Sequence, residues 1–254
     1  MGRMTPHDWN AKDYDKTNAG VIALGVEVLD RLELAGDETV LDAGAGTGVV
    51  TALLADRLPR GRVIALDAAP QMVEFARQRF EGRDNVEVVQ ADLYDFDLEG
   101  RTVDAVFSTA TFHWVKDHEA LWKNVRQVLN PGGKLVAQCG GEGNIASVKA
   151  IVLDVAAEEP YAEYVGDWFP NYFAGPDETV ERLLAAGFSN ADAWLEPRPV
   201  YPDDVSKHLR EVILGAHAEK LPAELFEPFA AEVDKRAGGR TMVDYVRLNI
   251  DAVA

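Results

Sequence analysis

Apolar residues along the first half of the chain alternate between two rhythms. Val21, Val28, Leu29 and Leu32 fall on one helical face, and Gly36 lies just past its end. Thr39-Val-Leu-Asp42 then reads as a short strand running directly into Ala43-Gly-Ala-Gly-Thr-Gly48. Val50, Leu53, Leu54 and Leu58 repeat at helical spacing until Pro59 and Gly61. Arg62–Asp67 is a second strand, and Pro70 opens a helix carried by Met72, Val73, Ala76 and Phe80. Val86–Val89 and Val103–Phe107 are the third and fourth strands. Leu121, Val125, Val128 and Leu129 form the next helical stripe, which Asn130-Pro-Gly-Gly133 terminates before a fifth strand, Lys134–Gln138. Apolar strands alternating with amphipathic helices predict an α/β protein with a parallel sheet covered on both faces.

The rhythm changes after Cys139. Ile145–Glu159 reads as helix, and Pro160–Pro176 is dense in aromatics and proline. Thr179–Ala186 is a short helix ending at Gly187, and Asn190–Val200 a strand. Asp203–Arg236 reads as two helices broken at Pro222 and Pro228. Val243–Ile250 fits either a closing edge strand or a helix.

Composition narrows the function classes. The chain has 254 residues, 25 Lys plus Arg and 43 Asp plus Glu, hence a net charge of −18. That opposes non-specific binding to nucleic acid or to anionic membranes, and there is no Lys/Arg cluster along the sequence. No apolar run approaches the ~20 residues of a membrane span, and Met1–Asn10 has no signal-peptide core. The lone cysteine, Cys139, allows no intrachain disulfide and fits a reducing compartment. The expectation is a cytoplasmic globular protein acting on a small molecule, with its oligomeric state open.

The strongest chemical signal is Asp42-Ala-Gly-Ala-Gly-Thr-Gly48 between the first strand and its helix. Open α/β sheets bind ligands there, and bare glycine backbone lets a ligand approach closely. The G-x-G-x-G spacing differs from the G-x-G-x-x-G of a pyrophosphate loop. Asp42 would repel a pyrophosphate and favour a cationic ligand. Asp67 closes the second strand, where a carboxylate accepts hydrogen bonds from ribose hydroxyls. A ribose, a nearby cation and no phosphate together describe S-adenosylmethionine.

This stretch resembles the class I S-adenosylmethionine-dependent methyltransferases, whose D-x-G-x-G-x-G loop follows the first strand. The resemblance covers Thr39 to Gln138; it includes Ala91-Asp-Leu93 and the Asn130-Pro-Gly-Gly turn, and it departs at Ala45, where many members have cysteine. It implies a Rossmann-like α/β fold with a seven-stranded, mostly parallel sheet, helices on both faces and a helical cap. The expected division is a single domain, with a core over 20–140 and cap elements over 1–19, 141–176 and 203–240. It implies cofactor contacts at Asp42, Gly44, Ala45, Gly46, Gly48, Asp67, Ala68, Met72, Ala91, Asp92, Leu93 and Ser108, with Asp92 against the adenine.

The segment after the fourth strand bears on the acceptor. Nucleic-acid N-methyltransferases resemble one another in an Asn/Asp-Pro-Pro-aromatic motif there; this chain has Ser108-Thr-Ala-Thr-Phe-His-Trp114. Near it, His113, Asp117 and His118 are the candidate metal ligands, and Asp117 and His118 fit the start of the next helix, so no metal is expected. Asp8-Trp-Asn10 with Tyr14, and Ser108–Trp114 with Asp117, His118 and Leu121, resemble the trans-aconitate methyltransferases and related carboxyl-methylating enzymes. That likeness implies O-methylation of a small carboxylic acid. Phenols, amines and acidic carbons remain alternatives, as does a cofactor-binding regulatory subunit without turnover.

A carboxylate is already ionised and needs no general base, only orientation and exclusion of water. The substrate residues expected are Trp9, Tyr14, His113, Trp114, Gln138, Asn144, Trp168 and Arg247. His113 is expected to position the acceptor through a hydrogen bond, or else to be a satisfied loop histidine. Arg247 beside Tyr245 is either a bidentate carboxylate clamp or a solvated surface arginine.

Overall fold

The computed structural model describes residues 19–254. Trp9 and Tyr14 lie outside the described residues. The chain runs α1 (Ala19–Arg31), β1 (Thr39–Ala43), α2 (Val49–Asp56), β2 (Arg62–Asp67), α3 (Pro70–Arg79), β3 (Val86–Gln90) and β4 (Val103–Thr109). After a single tight turn at Phe112–Trp114 come α4 (His118–Val128), β5 (Leu129–Gly140), α5 (Ala146–Ala156), α6 (Pro176–Ala185) and β6 (Asn190–Pro197). The last part holds α7 (Val205–His208), a widened turn at Leu209–Ile213, α8 (Gly215–Ala218), α9 (Ala223–Ala237) and β7 (Val246–Val253).

The seven strands lie in the order β3-β2-β1-β4-β5-β7-β6. β1 to β5 pair in parallel, and β7 is antiparallel to both β5 and β6. The strand order reverses at β1/β4, so the carboxyl ends of these two strands flank the crevice where such sheets take ligands. One face packs Val40, Val63, Ala105 and Phe107 beneath Val28 and Leu29 of α1, Leu54 of α2, and Leu32 and Leu58 just beyond the ends of these helices. The other packs Leu41, Ile64, Val106, Leu135 and Leu248 against Leu121, Trp122 and Val125 of α4 and Leu183 of α6. Phe112 meets Trp122 edge-on with centroids 5.2 Å apart, anchoring the turn after β4 to α4.

A second core belongs to the cap. Val148, Val152 and Val155 of α5 pack with Tyr161, Phe169, Leu209, Ile213, Phe229 and Val233. Burying its own apolar cluster lets this region hold a fixed shape over the sheet's carboxyl end.

Three sequence expectations change. Asn130-Pro-Gly-Gly133 does not separate helix from strand. β5 begins at Leu129, opposite Val103, and a register shift carries the chain to Lys134 opposite Ala105, so the motif is an irregularity inside the strand. Pro228 does not break a helix; it lies inside α9, and only Pro222 marks a boundary. The last segment is a strand but not an edge: β7 is enclosed by β5 and β6, and β6 takes the edge. Local periodicity carries no information about which strand lies outermost.

Candidate active site

The glycine loop is held from below by backbone bonds. The N–H groups of Gly44 and Ala45 both donate to Leu66 O, at 2.8 and 2.9 Å, tying the loop to the end of β2. Asp67 adds a side-chain tie: Oδ2 accepts from the Gly46 N–H at 2.8 Å and Oδ1 from the Ala69 N–H at 2.9 Å. A carboxylate has about four acceptor positions, more than these backbone bonds fill. Burial raises the Asp67 pKa, and the backbone N–H bonds from Ala69, Gly46 and Ala68 oppose the shift. Gly46 has φ +57°, and a Cβ built on it meets, among the described residues, no atom within 4 Å beyond its chain neighbours. Its neighbours contrast: a Cβ on Gly44 would lie 2.2 Å from the Thr111 side chain, and one on Gly48 2.5 Å from the Phe80 ring. Gly46 therefore faces open space at the loop's crest, a cradle that fits a ligand lying on bare backbone.

Asp42 sits beneath this loop, 3% exposed, with Oδ2 accepting from the Thr51 hydroxyl at 2.6 Å. Burial, with a smaller contribution from the charge of Asp67, pushes its pKa up to about 7, against the pull of the Thr51 bond. The Ala91-Asp92-Leu93 turn is fixed from α4, whose Asn124 amide donates to the carbonyls of Leu93 and Tyr94. Asp92 Oδ1 accepts from the Tyr94 N–H at 3.0 Å. Met72 is buried against Ala69 and Phe75, one turn beyond Asp67 and Ala68. Ser108 was expected as a cofactor contact. It is fully buried and its hydroxyl donates to Ala43 O at 2.6 Å, so it ties β4 to the root of the loop instead.

On the acceptor side, His113 and Trp114 occupy the tight turn after β4. The Gly140 N–H donates to His113 Nδ1 at 3.1 Å, which leaves the proton of the neutral ring on Nε2. Burial, and then the charges of Arg247 and His118, hold the His113 pKa down at about 3. Arg247 is not a solvated surface residue. It is 9% exposed, with its guanidinium 4.7 Å from the centre of the Tyr245 ring. It stands opposite Gly140 in the β5–β7 pairing, next to Cys139 and beside the N–H that His113 Nδ1 accepts, and its charge bears on His113, Cys139 and Tyr245. Burial pushes the Cys139 thiol and the Tyr245 phenol each up to about 12, so neither is a base at neutral pH. The Tyr245 hydroxyl pairs with His208 Nε2 at 2.9 Å, joining α7 to the segment before β7.

Two expected substrate residues are committed to the framework. Asn144 is buried, and its Oδ1 accepts from the Val246 N–H at 2.9 Å. Gln138 is buried too, its amide donating to Asn249 Oδ1 at 2.8 Å in a network that includes Arg31. Trp168 belongs to the cap wall, edge-on to His217 at 5.2 Å. Asp117 accepts from the Ala120 N–H as the cap of α4, and His118 Nε2 pairs with Phe112 O at 3.1 Å. Among the described residues no three His, Cys, Asp or Glu side chains are grouped to hold a metal, and no helix is long and apolar enough to cross a membrane. Sequence reasoning missed Thr51, Thr111 and His208. Thr51 offered a signal, since a polar residue on the buried face of an apolar helix needs a partner.

Comparison with known proteins adds to this geometry. Residues 41–137 match the family described as a methyltransferase domain. A trans-aconitate 2-methyltransferase of Acidovorax ebreus is 34% identical, the match covering 97% of this chain and 98% of that protein. The chain belongs to the class I S-adenosylmethionine-dependent methyltransferases. A methyltransferase of Schizosaccharomyces pombe is 32% identical over 72% of each chain. Among solved structures, the Haemonchus contortus phosphoethanolamine N-methyltransferase 2 bound to S-adenosyl-L-methionine has the same fold, with a TM-score of 0.57 and 20% identity, covering 91% of this chain and 52% of that one. The methyltransferase is thus an enzyme that uses S-adenosylmethionine. The open crest at Gly46, the spare acceptor positions of Asp67 and the buried carboxylate of Asp42 suit that cofactor.

Proposed function

We propose that this methyltransferase esterifies a carboxylate of a small-molecule acid. The observation that carries the reading is that His113 and Arg247 both flank Gly140, the first through its N–H and the second as its partner across β5 and β7. The histidine has its one basic nitrogen occupied by the Gly140 N–H and presents an N–H, and the arginine beside it supplies a fixed positive charge. Such a pocket attracts an anion and offers it no proton acceptor. A carboxylate needs none, whereas a phenol, an ammonium or an acidic carbon must first lose a proton. The naming of the 34%-identical relative as a trans-aconitate 2-methyltransferase supports the same choice.

S-adenosylmethionine, when bound, supplies a methyl group activated by its sulfonium. In this reading Gly44, Ala45, Gly46 and Gly48 offer bare backbone to it, Asp67 with Ala68 holds the ribose and Asp42 favours its cationic end. Ala91, Asp92 and Leu93, with Met72, border the adenine. Arg247 and the His113 Nε2–H hold the acceptor carboxylate so that one oxygen faces the donor. Trp114 and the cap aromatics around Trp168 exclude water, which strengthens both contacts. The core and cap act as a single domain, with a small molecule rather than nucleic acid as the partner and the cytoplasm as the site of action. The test is a screen with methyl-labelled S-adenosylmethionine against acids, phenols and amines, followed by mild alkali. The expected product is an ester that releases labelled methanol; an alkali-stable ether or amine would overturn the reading.

A further inference from the structure

Three lysines from separate elements converge on the cap's aromatic wall. Lys116 follows the tight turn after β4, Lys149 lies in the first turn of α5, and Lys220 follows α8. The Lys220 and Lys116 ammonium groups lie 4.6 and 5.8 Å from the centre of the Trp168 ring. Lys149 Nζ is 5.1 Å from the centre of the Phe169 ring and 5.6 Å from that of Phe173. Lys116 Nζ donates to Phe169 O at 2.8 Å, which fixes its position. Among the described residues, none of the three makes an ion pair, although the chain carries eighteen more acidic than basic residues. The cluster is self-repelling: after burial, the charges of Lys220 and Lys149 depress the Lys116 pKa. Its inner end reaches the acceptor site, because the Phe173 ring stands between Lys149 and His113, 5.9 Å from the latter.

We propose that Lys116, Lys149 and Lys220 hold a second anionic group of the acceptor, away from the carboxylate at His113 and Arg247, and so select acids with two or more negative charges. The proposal rests on the carboxylate reading. Ammonium groups suit this role as adaptable point charges, and the rings between the two anchors suit the carbon skeleton joining the charges. A cationic trio without an ion-paired partner among the described residues also attracts an incoming anion to an otherwise acidic protein.

The test is calorimetric titration of the S-adenosylhomocysteine-loaded protein with a dicarboxylate and with the monocarboxylate of equal chain length, paired with kcat/KM for both. The wild type should favour the dicarboxylate by about tenfold or more, the size of one charge-assisted contact. Lys149→Gln and Lys220→Gln should each erase most of that preference, Lys220→Arg should restore it, and added salt should weaken it. Lys220 is exposed, so its variants keep the fold. Equal binding of the two acids by the wild type, or a preference unchanged in both glutamine variants, would overturn the lysine site while leaving the carboxylate reading intact. Binding of neither acid by a protein that still holds S-adenosylhomocysteine would take down both.

Discussion

The Gly140 N–H directed at His113 Nδ1 separates this histidine from a general base. The ring can take up a proton only by giving up that bond, in a buried site already beside Arg247. His113→Gln keeps a donor amide, so kcat/KM should fall only about 10–100-fold, the loss of a positioning contact rather than of obligatory base catalysis. Asp67 ties the loop to β2 and, in the proposed site, also holds the ribose. Asp67→Ala should weaken S-adenosylmethionine binding by about 1.5–3 kcal/mol in calorimetry, the range for charged hydrogen bonds; unchanged affinity in a folded variant would remove Asp67 from the site. Asp42 adds a pH dependence. Without ligand its pKa is about 7, so near neutrality it is partly protonated. A cationic ligand favours the carboxylate, so binding should release a proton, and affinity should rise from pH ~5 to ~7 and level off above. Calorimetry in buffers of different ionisation enthalpy reads this directly. Asp42→Asn should remove the buffer dependence, and a wild type showing none would separate Asp42 from cofactor binding.

At the scale of elements, the loop after β1 contains glycines with opposite duties. Gly46→Val should abolish cofactor binding, because the side chain would fill the open crest, while the fold survives a local strain at φ +57°. Gly48→Ala should lower thermal stability instead, since its Cβ would meet the Phe80 ring at 2.5 Å. Circular dichroism melting with cofactor titration separates the two; a Gly46→Val protein that binds normally would displace the cofactor from the loop. The elements up to Gln138 were legible because buried parallel strands are short apolar runs, and glycine or proline punctuates the helices between them. The loop was legible because each of its residues answers to local backbone chemistry. Later elements were harder. The strand from Val246 to Val253 owes its central position to pairing with two distant strands. Arg247 gains its burial from the same pairing, and nothing in its sequence neighbourhood distinguishes it from a surface arginine. The Ser108 bond to Ala43 O was equally hidden in the sequence, since it joins two strands far apart along the chain.

For the whole molecule, the sheet and the cap have separate apolar cores, and the proposed acceptor residues come from several parts of the chain. His113 comes from the turn after β4, Phe173 from the segment before α6, Tyr245 and Arg247 from the last part of the chain. This scattering explains why acceptor chemistry was less readable than cofactor chemistry, which one contiguous loop announces. Ligands that bind the folded state alone raise its stability by mass action. S-adenosylhomocysteine at a hundredfold excess over its Kd should add about 2.7 kcal/mol, or roughly 5–10 °C in Tm for a chain of this size. NAD should give no shift, since the loop carries a carboxylate where a pyrophosphate would lie. An equal shift with NAD would contradict the assignment of the loop.

The proposed chemistry requires an anionic acceptor that needs no base, and its sharpest test is kcat measured against pH. The assay uses saturating S-adenosylmethionine and the acid that the labelled screen identifies, for wild type and His113→Gln. The rate should stay nearly flat above pH ~6 in both proteins, because the acid is already ionised and His113 is already neutral. A steep wild-type rise near pH 6.5–7, the ordinary histidine range, that disappears in His113→Gln would contradict it and show His113 removing a proton from the acceptor.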